Sequence, residues 1–211
     1  MAFTLTYATL TDSVKAYLER DDTHLVDEIP LFIMLGQRRI CRDLKILGQK
    51  VLISGTVTIS QPVIQKAAQW LNNAYCLMSP LATPTQPVHL LERSYEFCRQ
   101  YWPDATAVGF PKYYCDRDFQ NWYLAPTPDH NYAYEIGYFE TPTLIDETHD
   151  TNWLTQNAPE IVLYATLLET APYLKDDDRV PVWKTAYDQA KEALQKEDQL
   201  RIMDNFSLRG L

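Results

Sequence analysis

The residue types that could do chemistry in this chain are carboxylates, histidines, cysteines and tyrosines, and their spacing limits each. Glu160 and Glu169 are a candidate pair for general acid/base work. They fall in one segment read as a helix, where their separation corresponds to a rotation of about 900° and puts them on opposite sides. They cannot share one reacting atom there. The run Asp176, Asp177 and Asp178 suggests calcium. It lacks the alternate ligand spacing and terminal Glu of an EF-hand loop, so an acidic cluster at a helix start is the better reading. His24, His89, His130 and His149 lie in four separate segments, and no Ser or Cys occupies a recognisable nucleophile elbow. Cys41, Cys76, Cys98 and Cys115 form no CxxC pair and read as reduced, mostly buried thiols. There is no Gly-rich phosphate loop, no GxSxG and no HExxH. The expectation is a chain that is not an enzyme, with no cofactor and no metal site.

Tyr132, Tyr134, Tyr138 and Trp122 offer a different chemistry, stacking on sugar rings. The competing reading is that aromatics favour strands and pack across them. Acidic side chains interleave with these rings where a base-stacking platform would carry basic ones. A non-catalytic sugar-binding tail module is therefore the alternative function class.

Charge gives a second kind of candidate. The chain has 211 residues, 19 Lys+Arg against 28 Asp+Glu, and a formal charge of -9. Its 46% apolar share, with 14 Tyr, 7 Phe and 5 Trp, suits a packed core and excludes a disordered chain. Net negative charge disfavours a general binder of nucleic acid or anionic membrane. Residues 118–174 hold Asp118, Asp129, Glu135, Glu140, Asp146, Glu147, Asp150, Glu160 and Glu169 without a Lys or Arg. Glu140, Asp146, Glu147 and Asp150 are read as an acidic face that avoids DNA or meets a basic partner. Arg38, Arg42 and Lys45 form a basic stripe opposite the apolar face of their helix. That stripe is either a solvated surface or a contact for an acidic partner or neighbouring subunit. No apolar run reaches the roughly 18–20 residues of a membrane span. The opening MAFTLTYATLTDSV has no basic n-region or cleavage pattern, so no signal peptide is expected.

The elements that must position these groups follow from periodicity. Thr11-Asp12 is expected to cap a first helix ending near residue 20. Pro30 is expected to start a second, running to about Leu47 before Gly48, with Ile33, Ile40, Leu44 and Leu47 on one face. From Val51 the period changes to two, and Val51, Ile53, Val57 and Ile59 face one side of a strand ended by Pro62. Further strands are expected at 73–79, 112–114, 121–124 and 132–138. A proline-rich loop is expected at 80–87, a helix at 91–101 and a turn at 126–129. After Pro142 come a turn at 152–154, a helix Ile161 to Leu174 that is apolar nearly all round, and a last helix striped by Trp183, Tyr187, Ala190 and Leu194. That stripe breaks at 196–198, and residues 200–211 have no consistent packing face. The fold class is α+β: a helical bundle from both terminal segments with an inserted antiparallel β-rich domain. The domains are 1–50 and 146–203 for the bundle, 51–145 for the β-rich part, and 204–211 as an extended tail.

Three stretches together resemble one family, the head-to-tail adaptor (connector) proteins of tailed bacteriophages, including the tail tubular protein A type. Ile29–Leu44, IPLFIMLGQRRICRDL, is similar to the family's IP-x-FI-x-x-A-E-x-R-I-x-R-D-L helix. Arg39, Ile40, Arg42, Asp43 and Leu44 match, and Gly36-Gln37 stands in place of Ala-Glu, which is expected to loosen the helix. Gly109–Tyr138, with GFPKYY and YLAPTPD, resembles the family's Gly-x-Pro-x-Tyr-Tyr and Pro-x-Pro segments, with Cys115 where a small residue is common. Asn152–Leu194 resembles its NWL, LLYGALLEA, YLKDD and W-x-x-x-Y signature. The resemblance implies a ring, typically twelvefold, that joins the portal protein to the next tail component (nozzle, tail tube or fibre). DNA would pass through it without sequence-specific binding. It implies a virion neck or tail protein made in the host cytoplasm. The portal contact would be the tail Asp204, Asn205, Phe206, Ser207, Leu208, Arg209, Gly210 and Leu211, and Arg38, Arg42 and Lys45 become candidates for contact with a neighbouring subunit or the portal.

Overall fold

Thr6 starts the first helix, α1, Tyr7–Leu18. Its hydroxyl accepts from the Thr9 amide at 3.2 Å, and Thr9 Oγ1 accepts from the Thr6 amide at 2.8 Å. This reciprocal pair satisfies two orphan amides about a turn before the expected Thr11-Asp12 cap. The computed structural model describes residues 4–20, 22–80, 86–104, 106–174 and 178–202.

Helix α2 spans Thr23–Asp43, with Asp22 Oδ1 accepting from the Leu25 amide at 3.0 Å. Both expected ends are corrected. Pro30 lies within the helix on its exposed side, where the carbonyl left without a donor can be hydrated. The helix stops at Asp43 because Leu44 turns to extended backbone, φ -124° and ψ 143°. Gly48 is not the stop signal; it sits in a 3-10 turn, Leu47–Gln49, against the indole of Trp153. Leu47 is exposed and does not join Ile33, Ile40 and Leu44 in the core.

Helix α3, Tyr95–Tyr101, is capped by Ser94, so its expected first residues at 91–92 belong instead to a strand. Asn152 caps the short α4, Trp153–Asn157. Helix α5, Pro159–Leu174, buries Ile161, Val162, Ala165, Thr166, Leu167 and Leu168, so apolar positions cover most of its circumference. Helix α6, Val180–Ile202, buries Trp183, Tyr187 and Leu194. It continues past the expected break at 196–198, and Asp198 is itself buried, accepting from the Leu47 amide at 3.1 Å. Helices α1, α2, α4, α5 and α6 share one hydrophobic core.

The chain divides into two compact units, one from the described residues of Met1–Gln49 and Thr141–Leu211, the other Lys50–Glu140. The β-rich unit ends at Glu140, short of the expected boundary at 145, and Ile145 is buried in the helical core.

The second unit contains β1 Lys50–Val57, β2 Val63–Gln65, β3 Trp70–Ser79, β4 Val88–Glu92, β5 Val108–Gly109, β6 Tyr113–Asp116, β7 Asn121–Ala125, β8 Thr127–Pro128 and β9 Tyr132–Glu140. Seven of these form a sheet in the order β1-β9-β3-β4-β6-β7-β2, and β5 pairs with β8. The sheet is not wholly antiparallel. β4 and β6 run parallel, because the chain returns through α3 between them instead of through a hairpin. The pair β5 and β8 is also parallel, so the expected 126–129 turn contributes a short strand. Along β1, Val51, Ile53 and Val57 alternate with exposed Leu52, as the period of two requires. Ile59 lies beyond the strand and is exposed. The core gathers Val57, Ile64, Cys76, Met78, Leu90, Tyr114, Trp122, Leu124, Tyr132, Ile136 and Tyr138. The proline-rich loop expected at 80–87 lies largely outside the described residues.

Candidate functional site

A cleft of about 390 Å³ opens between α2 and α5, lined by Leu35, Arg38, Arg39, Arg42, Asp43 and Glu169. The sequence builds it in steps. Gly36 and Gln37 are buried, which turns Arg38 and Arg42, four residues apart on the helix, outward. Arg39 Nε donates to Glu169 Oε1 at 2.5 Å across the two helices. The Tyr187 hydroxyl donates to Asp43 Oδ2 at 2.8 Å. Burial and this bond to Asp43 push the Tyr187 phenol well above its ordinary value. Both carboxylates of the cleft are therefore engaged. Arg38 and Arg42 are exposed and make no ion pair among the described residues. The third member of the expected stripe does not belong to it. Lys45 follows the end of α2, in the connection to the 3-10 turn, because the helix stops at Asp43.

Arg39 was missed as a site residue, although it lies beside Arg38 in sequence. Its partner Glu169 stands in the sequence as a catalytic candidate and as one acid of the block 118–174. Glu160 is exposed in the first turn of α5, and Glu169 is half-buried under Arg39, so the two have unrelated environments.

The residues of the expected acidic face divide between the two units. Glu140 ends β9 and belongs to the β unit; partial burial pushes its carboxyl up. Asp146 is occupied by its own turn, accepting from the Thr148 hydroxyl at 2.6 Å and the Thr148 and His149 amides at 2.7 and 2.8 Å. These bonds, the hydroxyl first, pull it down to about 2. Glu147 and Asp150 are exposed on the same loop without an ion pair among the described residues. Several other acids of the block are satisfied locally. Glu135 accepts from the Tyr75 hydroxyl, Asp129 from the Tyr132 hydroxyl, and Asp118 from the Asn121 amide. A run of like-charged letters thus resolves in part into separate turn and pair interactions, with Glu140, Glu147, Asp150 and Glu160 outside any ion pair among the described residues.

The aromatic candidates are core residues. Trp122, Tyr132 and Tyr138 are buried, and half-buried Tyr134 packs its phenol against Gly55 of β1. A sugar ring cannot stack on faces already in contact with protein, so this constellation is corrected to a structural one. One buried cation escaped the sequence reading altogether. Lys66 Nζ bonds Asp116 Oδ1 at 2.8 Å and the Asp118 carbonyl at 3.0 Å, and lies 3.5 Å from the Trp70 ring centre. No spacing rule links these positions, because the sheet assembles them.

The four cysteines are free and buried. Burial pushes Cys41 up to about 11 and Cys76 up to about 12, which makes their thiols poor nucleophiles. His130 and His149 each lie beside one aspartate, while His89 meets the Tyr75 ring. Among the described residues no group of three His, Cys, Asp or Glu side chains could hold a metal ion. No helix among them is long and apolar enough to cross a membrane. Asp176 and Asp177, expected in an acidic cluster at a helix start, and the expected portal-contact tail 204–211 lie outside the described residues.

In comparisons with known proteins, the family model described as SU10 adaptor protein matches residues 5–207. No curated protein matches the chain.

Proposed function

We propose a function from one premise: the chain belongs to the SU10 adaptor protein family. It is a phage structural adaptor and a virion component. The match from residue 5 to 207, which takes in both units, is the observation that carries this reading.

The finer proposal is a ring of the kind known from tail tubular protein A-type connectors, typically twelvefold. It joins the portal protein to the next tail component and continues the DNA channel. The work is assembly and conduction, without catalysis. Each copy meets two neighbours through a heterologous interface that closes because its rotation closes. DNA passes without sequence-specific binding, since the net charge of -9 suppresses lasting phosphate contacts. The helical bundle from both ends of the chain carries the ring, and residues 204–211 reach the portal.

Electron microscopy of the full chain mixed with its portal ring tests this. A bound collar of twelvefold symmetry is expected, and deletion of 204–211 is expected to weaken docking. A portal that stays bare at micromolar adaptor overturns the proposal. Docking unchanged by the deletion overturns the role of the tail.

A further inference from the structure

In the helical unit, exposed Arg38, Arg42, Glu147 and Asp150 are among the charged side chains that make no ion pair among the described residues. We infer that they find one another between copies: Arg38 and Arg42 of one copy receive Glu147 and Asp150 of the next. This inference rests on the ring proposed above.

The arginine side is a shaped surface. Arg38 and Arg42 rise on neighbouring turns of α2 at the edge of the cleft. Arg39, held by Glu169, closes the wall between the helices. The cleft also contains Asp43 and Glu169, so its free charge amounts to two guanidinium groups set among carboxylates. That setting suits a pair of carboxylates placed between the fixed acids. It suits a phosphodiester chain less, because successive phosphates would meet Asp43 and Glu169 as like charges.

The acidic side is held at both ends of its loop. Asp146 fixes the turn from within, and the Asp146 amide donates to the His149 carbonyl at 3.1 Å. The Tyr7 amide donates to the Asp150 carbonyl at 3.0 Å, fastening the loop to the start of α1. Glu147 and Asp150 therefore project from an ordered turn. A preorganised carboxylate pair loses less freedom on binding than a mobile one.

The two patches lie on different elements of the same unit, one on α2 and α5, the other between β9 and α4. A head-to-tail contact needs two complementary patches on one chain, since each copy presents one to each neighbour. Rim charges of this kind set register and partner choice more than raw affinity.

Charge reversal tests the pairing on the full chain with its portal. The first variant carries Arg38→Glu and Arg42→Glu; the second carries Glu147→Lys and Asp150→Lys. Each alone sets like charges together at every interface, and the concentration needed for ring assembly should rise by about tenfold or more. Mixed in equal amounts, they should form rings in which the two variants alternate, seen by native mass spectrometry as a one-to-one composition. A chain carrying all four changes should assemble alone. Circular dichroism and urea midpoints near wild type show that the variants fold. Rings of wild type indifferent to both reversals, or a mixture no better than its components, overturn the pairing. If only the arginine variant is impaired and it loses DNA retention, the arginines meet DNA and the pairing is wrong. No ring from wild type overturns the adaptor-ring reading itself.

Discussion

A Cβ placed on Gly36 would stand 2.8 Å from the backbone nitrogen of Thr166, and backbone cannot yield as a flexible side chain does. Helices α2 and α5 therefore cross at a point where α2 presents no side chain. Gly36 does not loosen α2; it lets the helix lie against α5 while Ile33 and Ile40 pack on either side of the crossing. Gly36→Ala should destabilise the chain by about 1–3 kcal/mol through overpacking. The helix propensity gained by Ala, about 1 kcal/mol, works the other way. Urea unfolding read by circular dichroism checks the sign. A variant as stable as wild type removes the close crossing.

Gln37 fastens a distant segment to the same helix. Its Oε1 accepts from the Ile145 amide at 3.0 Å and from Asn152 Nδ2 at 2.9 Å, while its Nε2 donates to the Ile33 carbonyl at 3.3 Å. Gln37→Ala leaves a buried amide without an acceptor and should cost about 1–3 kcal/mol. Hydrogen exchange should speed first at residues 143–152, where Asn152 also caps α4. Uniform exchange across the helical unit would show that Gln37 does not clamp this segment.

Local sequence was most informative where one element carried its own signal. The alternation along β1, the apolar girth of α5 and the Trp183, Tyr187 and Leu194 stripe of α6 are each visible in a short window. Helix ends are less local. Pro30 stands as a start in the sequence, but the capping oxygen comes from Asp22, earlier in the chain. Gly48 stands as a stop in the sequence, but the helix ends where Leu44 turns extended, and Gly48 answers to Trp153, far along the chain. The parallel pairing of β4 and β6 depends on α3 acting as a crossover, which turn residues alone do not announce. At the candidate site, Arg38 and Arg42 were legible from helical spacing. The Arg39–Glu169 pair and the Lys66 cluster were not, because their partners meet only in three dimensions.

Alkaline solution should unfold this chain readily. Burial pushes Cys41 from 9.0 to about 11 and Cys76 to about 12, and raises Cys98 and Cys115 as well. A raised folded value means the unfolded chain loses the proton first. For Cys41 and Cys76 the stabilisation is complete below about pH 9 and declines as pH rises toward 11 to 12, on the order of 1 kcal/mol per pH unit for each of the two. Urea midpoints at pH 7 and pH 10 should differ accordingly. Cys76→Ala should start less stable and fall less steeply with pH. An equal slope in that variant would assign the loss to other groups.

Asn73 joins charges and indoles in the β unit. Its Oδ1 accepts from Trp122 Nε1 at 2.7 Å and Trp70 Nε1 at 3.0 Å, and its Nδ2 donates to Asp116 at 2.9 Å and Glu92 at 2.8 Å. Asn73→Ala strands the buried Trp122 N–H and should cost about 1–3 kcal/mol. Asn73→Asp is the sharper test. The new carboxylate keeps an acceptor for both indoles but faces Asp116 and Glu92 as a like charge. Like charges favour the protonated form and raise the carboxyl values in the folded state above those in the unfolded chain. The variant should therefore lie closest to wild type below about pH 4, where the unfolded carboxyls are protonated. It should lose ground to wild type as pH rises through the raised folded values. The difference between variant and wild-type urea midpoints at pH 4 and pH 7 reads this directly. A difference independent of pH would mean that Lys66, 2.8 Å from Asp116, already neutralises the cluster.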